Sequence, residues 1–233
     1  ETVEENIRMN KIATGLLLGS LGMFLGGKAA VATTTEISPG ALLDSAGGIL
    51  DQIYGLGNLQ RIDDDLDKIW SPAIATATTR AMRADFAQEF GYIPDLNSDN
   101  VFDEAFVPLF TMPGVTYEIG LDGPGATFDS GAVDFLMALK SGEEPLWTSQ
   151  PDENSDSLDH MVTWLITGNE GNPENVVGNH VIAWEDLQGG GDRDFDDLVV
   201  EVNVGAVPIP AAIWLFGSGV LGLVGIARRK TVA

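Results

Sequence analysis

Between positions 74 and 92 the larger side chains fall on every second residue. Ile74, Thr76, Thr78, Arg80, Met82, Ala84, Phe86, Gln88, Phe90 and Tyr92 alternate with smaller or charged neighbours. A period of two is the repeat of a strand, whose successive side chains point to opposite faces, so the pattern predicts one long strand despite its alanine content. After a turn cluster at 94–100 come short apolar runs at 101–110, 115–121, 132–139, 161–167, 176–184 and 198–204. They are punctuated by Pro113-Gly114, Asp122-Gly123-Pro124-Gly125, Ser141-Gly142, Gly168-Asn169 and Gly171-Asn172-Pro173, all residues that favour turns. Short runs at this spacing predict an all-β fold, an antiparallel β-sandwich of jelly-roll type, over 61–206. Ahead of it, 33–60 reads as a leading segment with a short helix. Leu42, Leu43, Ile49, Leu50, Ile53, Tyr54 and Leu56 have loose helical spacing, weakened by Gly47-Gly48.

The two ends carry apolar stretches of another kind. Residues 9–32 run from Lys11 through an apolar segment to Ala30-Val31-Ala32, the small-x-small pattern cut by signal peptidase, here on Ala30 and Ala32. This reads as a secretory signal peptide. Three acids within 1–8 suit no signal n-region, so translation is expected to start at Met9, with 1–8 an upstream artefact. At the other end, Val207-Pro208-Ile209-Pro210-Ala211 opens an apolar run of roughly 17 residues, at the short end of what spans a bilayer. Arg228, Arg229 and Lys230 close it, and basic flanks stay cytoplasmic. Segment 207–233 therefore reads as a C-terminal transmembrane helix with a basic tail, leaving the sandwich outside the cytoplasm.

Charge narrows the chemistry of what lies between. The chain holds 35 acidic and 12 basic residues and no cysteine, and 33–206 alone carries 32 acids against 6 bases. Such a surface repels nucleic acid and anionic lipid and attracts cations. Without cysteine there is neither a disulfide framework nor a thiolate metal site. A bound divalent cation is one remaining stabiliser for an exported domain.

Acids concentrate in Trp184-Glu185-Asp186-Leu187-Gln188-Gly189-Gly190-Gly191-Asp192-Arg193-Asp194-Phe195-Asp196-Asp197-Leu198, where six carboxylates fall within thirteen positions around three glycines. At this density carboxylates repel one another unless solvated, protonated or neutralised by a cation. Ca2+ prefers six to eight oxygen ligands, and a glycine turn lets carbonyls and carboxylates converge. The spacing Asp192-x-Asp194 opens like an EF-hand loop, but the twelfth-position Glu is missing. Strand alternation places Asp192, Asp194 and Asp196 on one side and Asp197 on the other, so one ion reaches them all only if the turn is bulged. The alternative is a solvated acidic hairpin held by Arg193 and backbone amides. A second cluster, Asp63-Asp64-Asp65-Leu66-Asp67, is expected to be a solvated face.

Two resemblances attach to these motifs. The C-terminal Val207-Pro208-Ile209-Pro210-Ala211-Ala212, Trp214-Leu215-Phe216-Gly217-Ser218-Gly219 and Arg228-Arg229-Lys230 resemble the PEP-CTERM class of bacterial sorting signals, in its Val-Pro-x-Pro-Ala variant. That resemblance implies handling by an exosortase, transient inner-membrane anchoring through the C-terminal helix, and delivery to the surface or exopolysaccharide matrix of a Gram-negative bacterium. The glycine-flanked acidic segment, with Asp156-Ser157-Leu158-Asp159-His160 upstream, resembles a secreted family labelled a domain of unknown function, similar to LruC-type modules. It implies an exported, calcium-binding β-rich module with no established enzymatic role. The ligands it implies are Glu185, Asp186, Asp192, Asp194 and Asp197, with Asp159 contributed from a neighbouring strand.

Catalytic signatures are absent: there is no Gly-x-Ser-x-Gly elbow, His-Glu-x-x-His, P-loop or dinucleotide fingerprint. Asp159 and His160, adjacent on a strand, point to opposite faces and form no direct pair. The resulting expectation is a non-enzymatic structural or adhesive protein of the cell surface or matrix. A carbohydrate-binding module retained on extracellular polysaccharide, or a hydrolase modifying it, are the alternatives. For glycan contact Trp147, beside Pro145 in a polar stretch, is the candidate aromatic.

Overall fold

A computed structural model of the 233-residue chain describes residues 34–120 and 123–204. The signal peptide with Ala30 and Ala32, and the tail from Val207 through Arg228, Arg229 and Lys230, lie outside the described residues. Among the described residues no helix is long and apolar enough to cross a membrane.

The elements in order are α1 (Ile49–Tyr54), β1 (Leu59–Arg61), β2 (Ile74–Ala84), β3 (Gln88–Pro94), β4 (Val107–Met112), β5 (Val115–Ile119), β6 (Gly125–Asp129), β7 (Phe135–Ser141), β8 (Leu146–Thr148), β9 (Met161–Ile166), β10 (His180–Trp184) and β11 (Leu198–Val202). They form two antiparallel sheets. The larger runs β1-β9-β10-β11-β2-β5, with β6 also pairing with β2, and the smaller runs β4-β3-β7-β8. The all-β expectation of an antiparallel sandwich holds at this level.

Alternation explains how the sheets stack. On β10, Ile182 and Trp184 enter the core shared with the small sheet, where they meet Phe90, Met137, Leu139 and Trp147. The intervening Val181 and Ala183 face outward, but there α1 and its approach cover them with Leu43, Ile49, Leu50 and Tyr54. A strand buried on both faces reads as a continuous apolar run, which is how 180–184 appears in the sequence. The six-residue α1 is too short to stand alone and depends on this packing.

The long strand predicted over 74–92 is two strands. β2 ends at Ala84 and β3 starts at Gln88 in the other sheet, so residues 85–87 form a corner of the sandwich. Alternation continues across the corner and says nothing about which sheet receives it. Nor is the alternation within β2 regular. The register against β11 passes from Ala81↔Val199 to Thr79↔Val200, leaving Arg80 as an extra residue. Ala75, Ala77, Met82 and Ala84 therefore face the central core, while Ala81 faces the other way. Two short strands were hidden: β6 starts inside the predicted turn at Gly125, and β8 contains Trp147.

Trp147 is a correction. Its side chain is fully buried, its indole N–H donates to the Asp186 carbonyl at 2.8 Å, and its ring stacks on His160 at 3.8 Å between centroids. No face of it is open to a sugar. The solvated face expected at 63–67 is likewise corrected, because Asp64 and Asp67 are buried.

Candidate metal centre

The segment between β10 and β11 is a loop rather than a continuation of either strand. Gly189, Gly190 and Gly191 have φ of 80, 76 and 45°, and Arg193 and Phe195 follow at 58 and 54°. Three successive left-handed residues account for the three glycines, since a side chain is strained at each. Gly191 has a second reason: a Cβ there would lie 2.0 Å from Glu185 Oε1. The expected strand alternation of Asp192, Asp194 and Asp196 therefore does not apply, and the loop folds its acids back over the end of β10.

Glu185 is the pivot. One carboxylate oxygen each from Glu185, Asp192 and Asp194 lie within 4.8 Å of one another, and so do oxygens of Glu185, Asp186 and Asp197. Together with the corner residues Asp85 and Phe86, these acids line an open cavity of about 360 Å³, with Leu187 at its rim. Every side chain in it that could ligate a metal offers oxygen.

The secondary contacts rank the carboxylates. Asp186 Oδ2 accepts from Gln88 Nε2 at 2.5 Å and from Ser141 Oγ at 2.7 Å, and Asp197 Oδ2 accepts from the Asp186 N–H at 2.8 Å. Asp196 is paired with Arg83 at 3.1 Å, and the same guanidinium lies 3.5 Å from Asp194. Glu185 differs: it is 1% exposed, and its Oε2 has no hydrogen-bond partner. A buried, unsatisfied carboxylate oxygen is costly unless a proton or a cation meets it.

The electrostatics follow from crowding. Burial, then repulsion from Asp192 and Asp194, pushes the Glu185 carboxyl up to about 8. Burial, then Asp186 and Glu185, pushes Asp197 up to about 10. Burial followed by Asp194 lifts Asp196 to about 6, and burial raises Asp194 as well. Without a cation, the well resists holding all its charges at once.

Of the ligand set implied by sequence, Glu185, Asp186, Asp192, Asp194 and Asp197 gather here, and Asp159 does not. Its Oδ2 accepts from Thr35 Oγ1 at 2.9 Å and its Oδ1 from the Met161 N–H at 3.0 Å, in a separate cluster with Asp64, Asp67 and Arg61. The residue of that motif that reaches the glycine loop is Asp156, whose Oδ2 accepts from the Gly189 N–H at 2.7 Å and lies 3.1 Å from His160 Nε2. Burial raises the Asp156 carboxyl, but the N–H groups of Gly189 and Leu158 and the His160 ring outweigh it and hold it below the ordinary value. The other His160 nitrogen, Nδ1, lies 2.8 Å from the Glu185 carbonyl, so Asp156 and His160 together brace both sides of the loop. Asp156 lies in the same motif, four residues before His160, but the resemblance implied Asp159 as the ligand. Nothing in the sequence marked Arg83 or Phe86 for this site.

The family model described as "Domain of unknown function (DUF4114)" matches residues 128–205, which include β7 to β11 and the whole glycine loop. No curated protein matches the chain. Among solved structures the chain is similar to the C-terminal domain of the BC2L-C lectin from Burkholderia cenocepacia, at 15% identity and a TM-score of 0.33, over 62% of this chain and 97% of that one. It is also similar to the Chromobacterium violaceum lectin CV2L, solved in complex with alpha-methyl-fucoside, at 15% identity and a TM-score of 0.34, over 62% of this chain and 98% of that one.

Proposed function

We propose that this protein is a non-enzymatic, exported calcium-binding module with a structural or adhesive role at the cell surface or in the exopolysaccharide matrix. The observation that carries the metal reading is Glu185, buried with an unsatisfied oxygen at the point where two carboxylate triads meet. Oxygen-only donors select a hard cation. An irregular loop that offers many carboxylates and carbonyls suits the six to eight ligands of Ca2+ better than the strict octahedron of Mg2+. Glu185, Asp192 and Asp194 would hold the ion on the open side, with Asp186 and Asp197 closing the inner side.

Export rests on the sequence features outside the described residues: the signal peptide ending at Ala32 and the Val-Pro-x-Pro-Ala tail with its basic end. Signal peptidase and an exosortase are the partners this route requires. Calcium outside the cell then fills the well, and an ion that binds only the folded chain stabilises it by linkage. The buried His160 is braced by Asp156 and the Glu185 carbonyl in a structural arrangement, which supports the non-enzymatic reading.

Calorimetric titration of calcium into the chelator-stripped protein tests this directly. Saturable binding accompanied by a higher urea midpoint is expected. Equal midpoints in calcium and in chelator would sink the reading.

A further inference from the structure

The metal well is larger than an ion needs. A cavity of about 360 Å³ falls in the range of small-molecule pockets, roughly 300–1,000 Å³. Its floor is the carboxylate cluster and its wall is apolar: Phe86, 48% exposed on the corner between β2 and β3, and Leu187, 39% exposed, just after the ligand pair. Among the described residues with large exposed apolar side chains, Phe86 is the aromatic one. An ion held by one oxygen each from Glu185, Asp192, Asp194, Asp186 and Asp197 would count five, and still needs further oxygens from the open side to reach six to eight.

We propose that the open face of the calcium well is a binding site for neutral sugars, two ring hydroxyls completing the ion's coordination while the Phe86 ring and Leu187 pack against the pyranose C–H face. The inference rests on the calcium reading above. Its chemistry is chosen by charge: seven carboxylates and the single guanidinium of Arg83 line the cavity, so it stays negative after a dication enters. Uronates and other anionic ligands are thereby disfavoured, and a sugar's paired hydroxyls are neutral oxygens that can replace water on the ion. A basic peptide would meet the negative charge, but its cationic side chains would compete with calcium for the carboxylates instead of capping the ion. The aromatic surface is Phe86 at the corner and not the buried Trp147.

The test uses the purified protein with D-mannose, D-galactose and D-galacturonate as probes, followed by saturation-transfer NMR in calcium and in chelator, alongside calcium titration with and without 50 mM sugar. The neutral sugars are expected to bind in calcium and not in chelator, and, by reciprocity of linked binding, to tighten calcium binding several-fold. Phe86→Ala is expected to weaken sugar binding about five- to tenfold with calcium affinity unchanged, because the ring supplies no ligand oxygen. Leu187→Ala serves as the second variant should Phe86→Ala perturb the corner. Calcium binding without any sugar signal overturns this proposal and leaves the metal reading intact; absence of calcium binding removes both. Sugar binding that survives chelator, or that ignores both variants, places the site elsewhere and overturns it, as does a preference for galacturonate.

Discussion

Two acidic clusters of similar composition sit at different places in this fold, and they differ in openness and in how their carboxylates converge. The well at Glu185, Asp192 and Asp194 is open, built on a left-handed glycine loop, and leaves a buried oxygen unmet. The cluster of Asp64, Asp67 and Asp159 is closed over by the leading segment. Thr35 donates its N–H to Asp64 and its hydroxyl to Asp159, Arg61 pairs with Asp64 at 3.1 Å, and the Arg61 guanidinium lies 4.9 Å above the Trp164 ring. There Asp64 and Asp159 are met by a protein cation and by N–H and O–H donors, while the buried Asp67 Oδ2 is left without a partner, as Glu185 Oε2 is. Burial, then repulsion from Asp159 and Asp64, pushes Asp67 up to about 8, a carboxyl kept neutral by its surroundings. Neither acid density nor one unmet oxygen thus predicts an ion; among the described residues the well differs in bringing three carboxylate oxygens within 4.8 Å of one another, twice over.

The contrast can be broken most directly at Glu185. Glu185→Gln keeps the shape but removes the pivot charge, and is expected to lower calcium affinity by about a hundredfold or more while raising the urea midpoint in chelator. Titration and denaturation on the same sample read both. A variant that binds calcium normally would move the metal away from this loop.

Gly191→Ala is expected to cost about 3 kcal/mol, since the new methyl meets the Glu185 carboxylate at a left-handed position. Urea unfolding in calcium measures it.

For the closed cluster the sharpest probe is pH. The folded Asp67 carboxyl titrates at about 8, whereas the unfolded one titrates at about 3.9. Between those values the folded form holds a proton the unfolded form lacks, so Asp67 contributes stability that is full below about 3.9 and is lost as pH rises through 8. Asp67→Asn is expected to flatten that slope and to raise stability at pH 8 by about 2 kcal/mol. Unfolding in chelator from pH 5 to 8.5 tests it, and a slope that survives the substitution locates the proton elsewhere.

The smallest effect is expected from Thr35→Val, which removes one hydroxyl bond to Asp159 and costs about 1 kcal/mol with calcium affinity unchanged. A change in calcium affinity would join the two clusters into one system, because the Ser38 N–H donates to the Arg193 carbonyl at 2.8 Å and its hydroxyl to the Asp192 carbonyl.

Legibility in the sequence tracked burial. β9, β10 and β11 were readable to within a few residues because sheets and helix cover them on both faces and their apolar runs are continuous. β6 and β8 were not, since three to five residues with Gly125 or next to Pro145 read as turns until a partner strand pairs with them. At the site, five of six implied ligands converge because they bracket one loop. Asp159 failed for want of information about direction: two acids three residues apart look alike until His160 and Gly189 select Asp156.

The sequence by itself determined an all-β chain, a net acidic domain without thiols, and an oxygen-rich loop whose three glycines permit left-handed turns, because these follow from period, composition and single-residue backbone preferences. Only the tertiary structure decided which carboxylates share a point, that Glu185 is the well's carboxylate with an unsatisfied oxygen, that Trp147 is core, and that the 85–87 corner brings Phe86 to the well. Those outcomes depend on tertiary contacts, from Trp147 with Asp186 at 39 positions to Gln88 with Asp186 at 98, and on a loop that folds back on itself, none of which local pattern encodes.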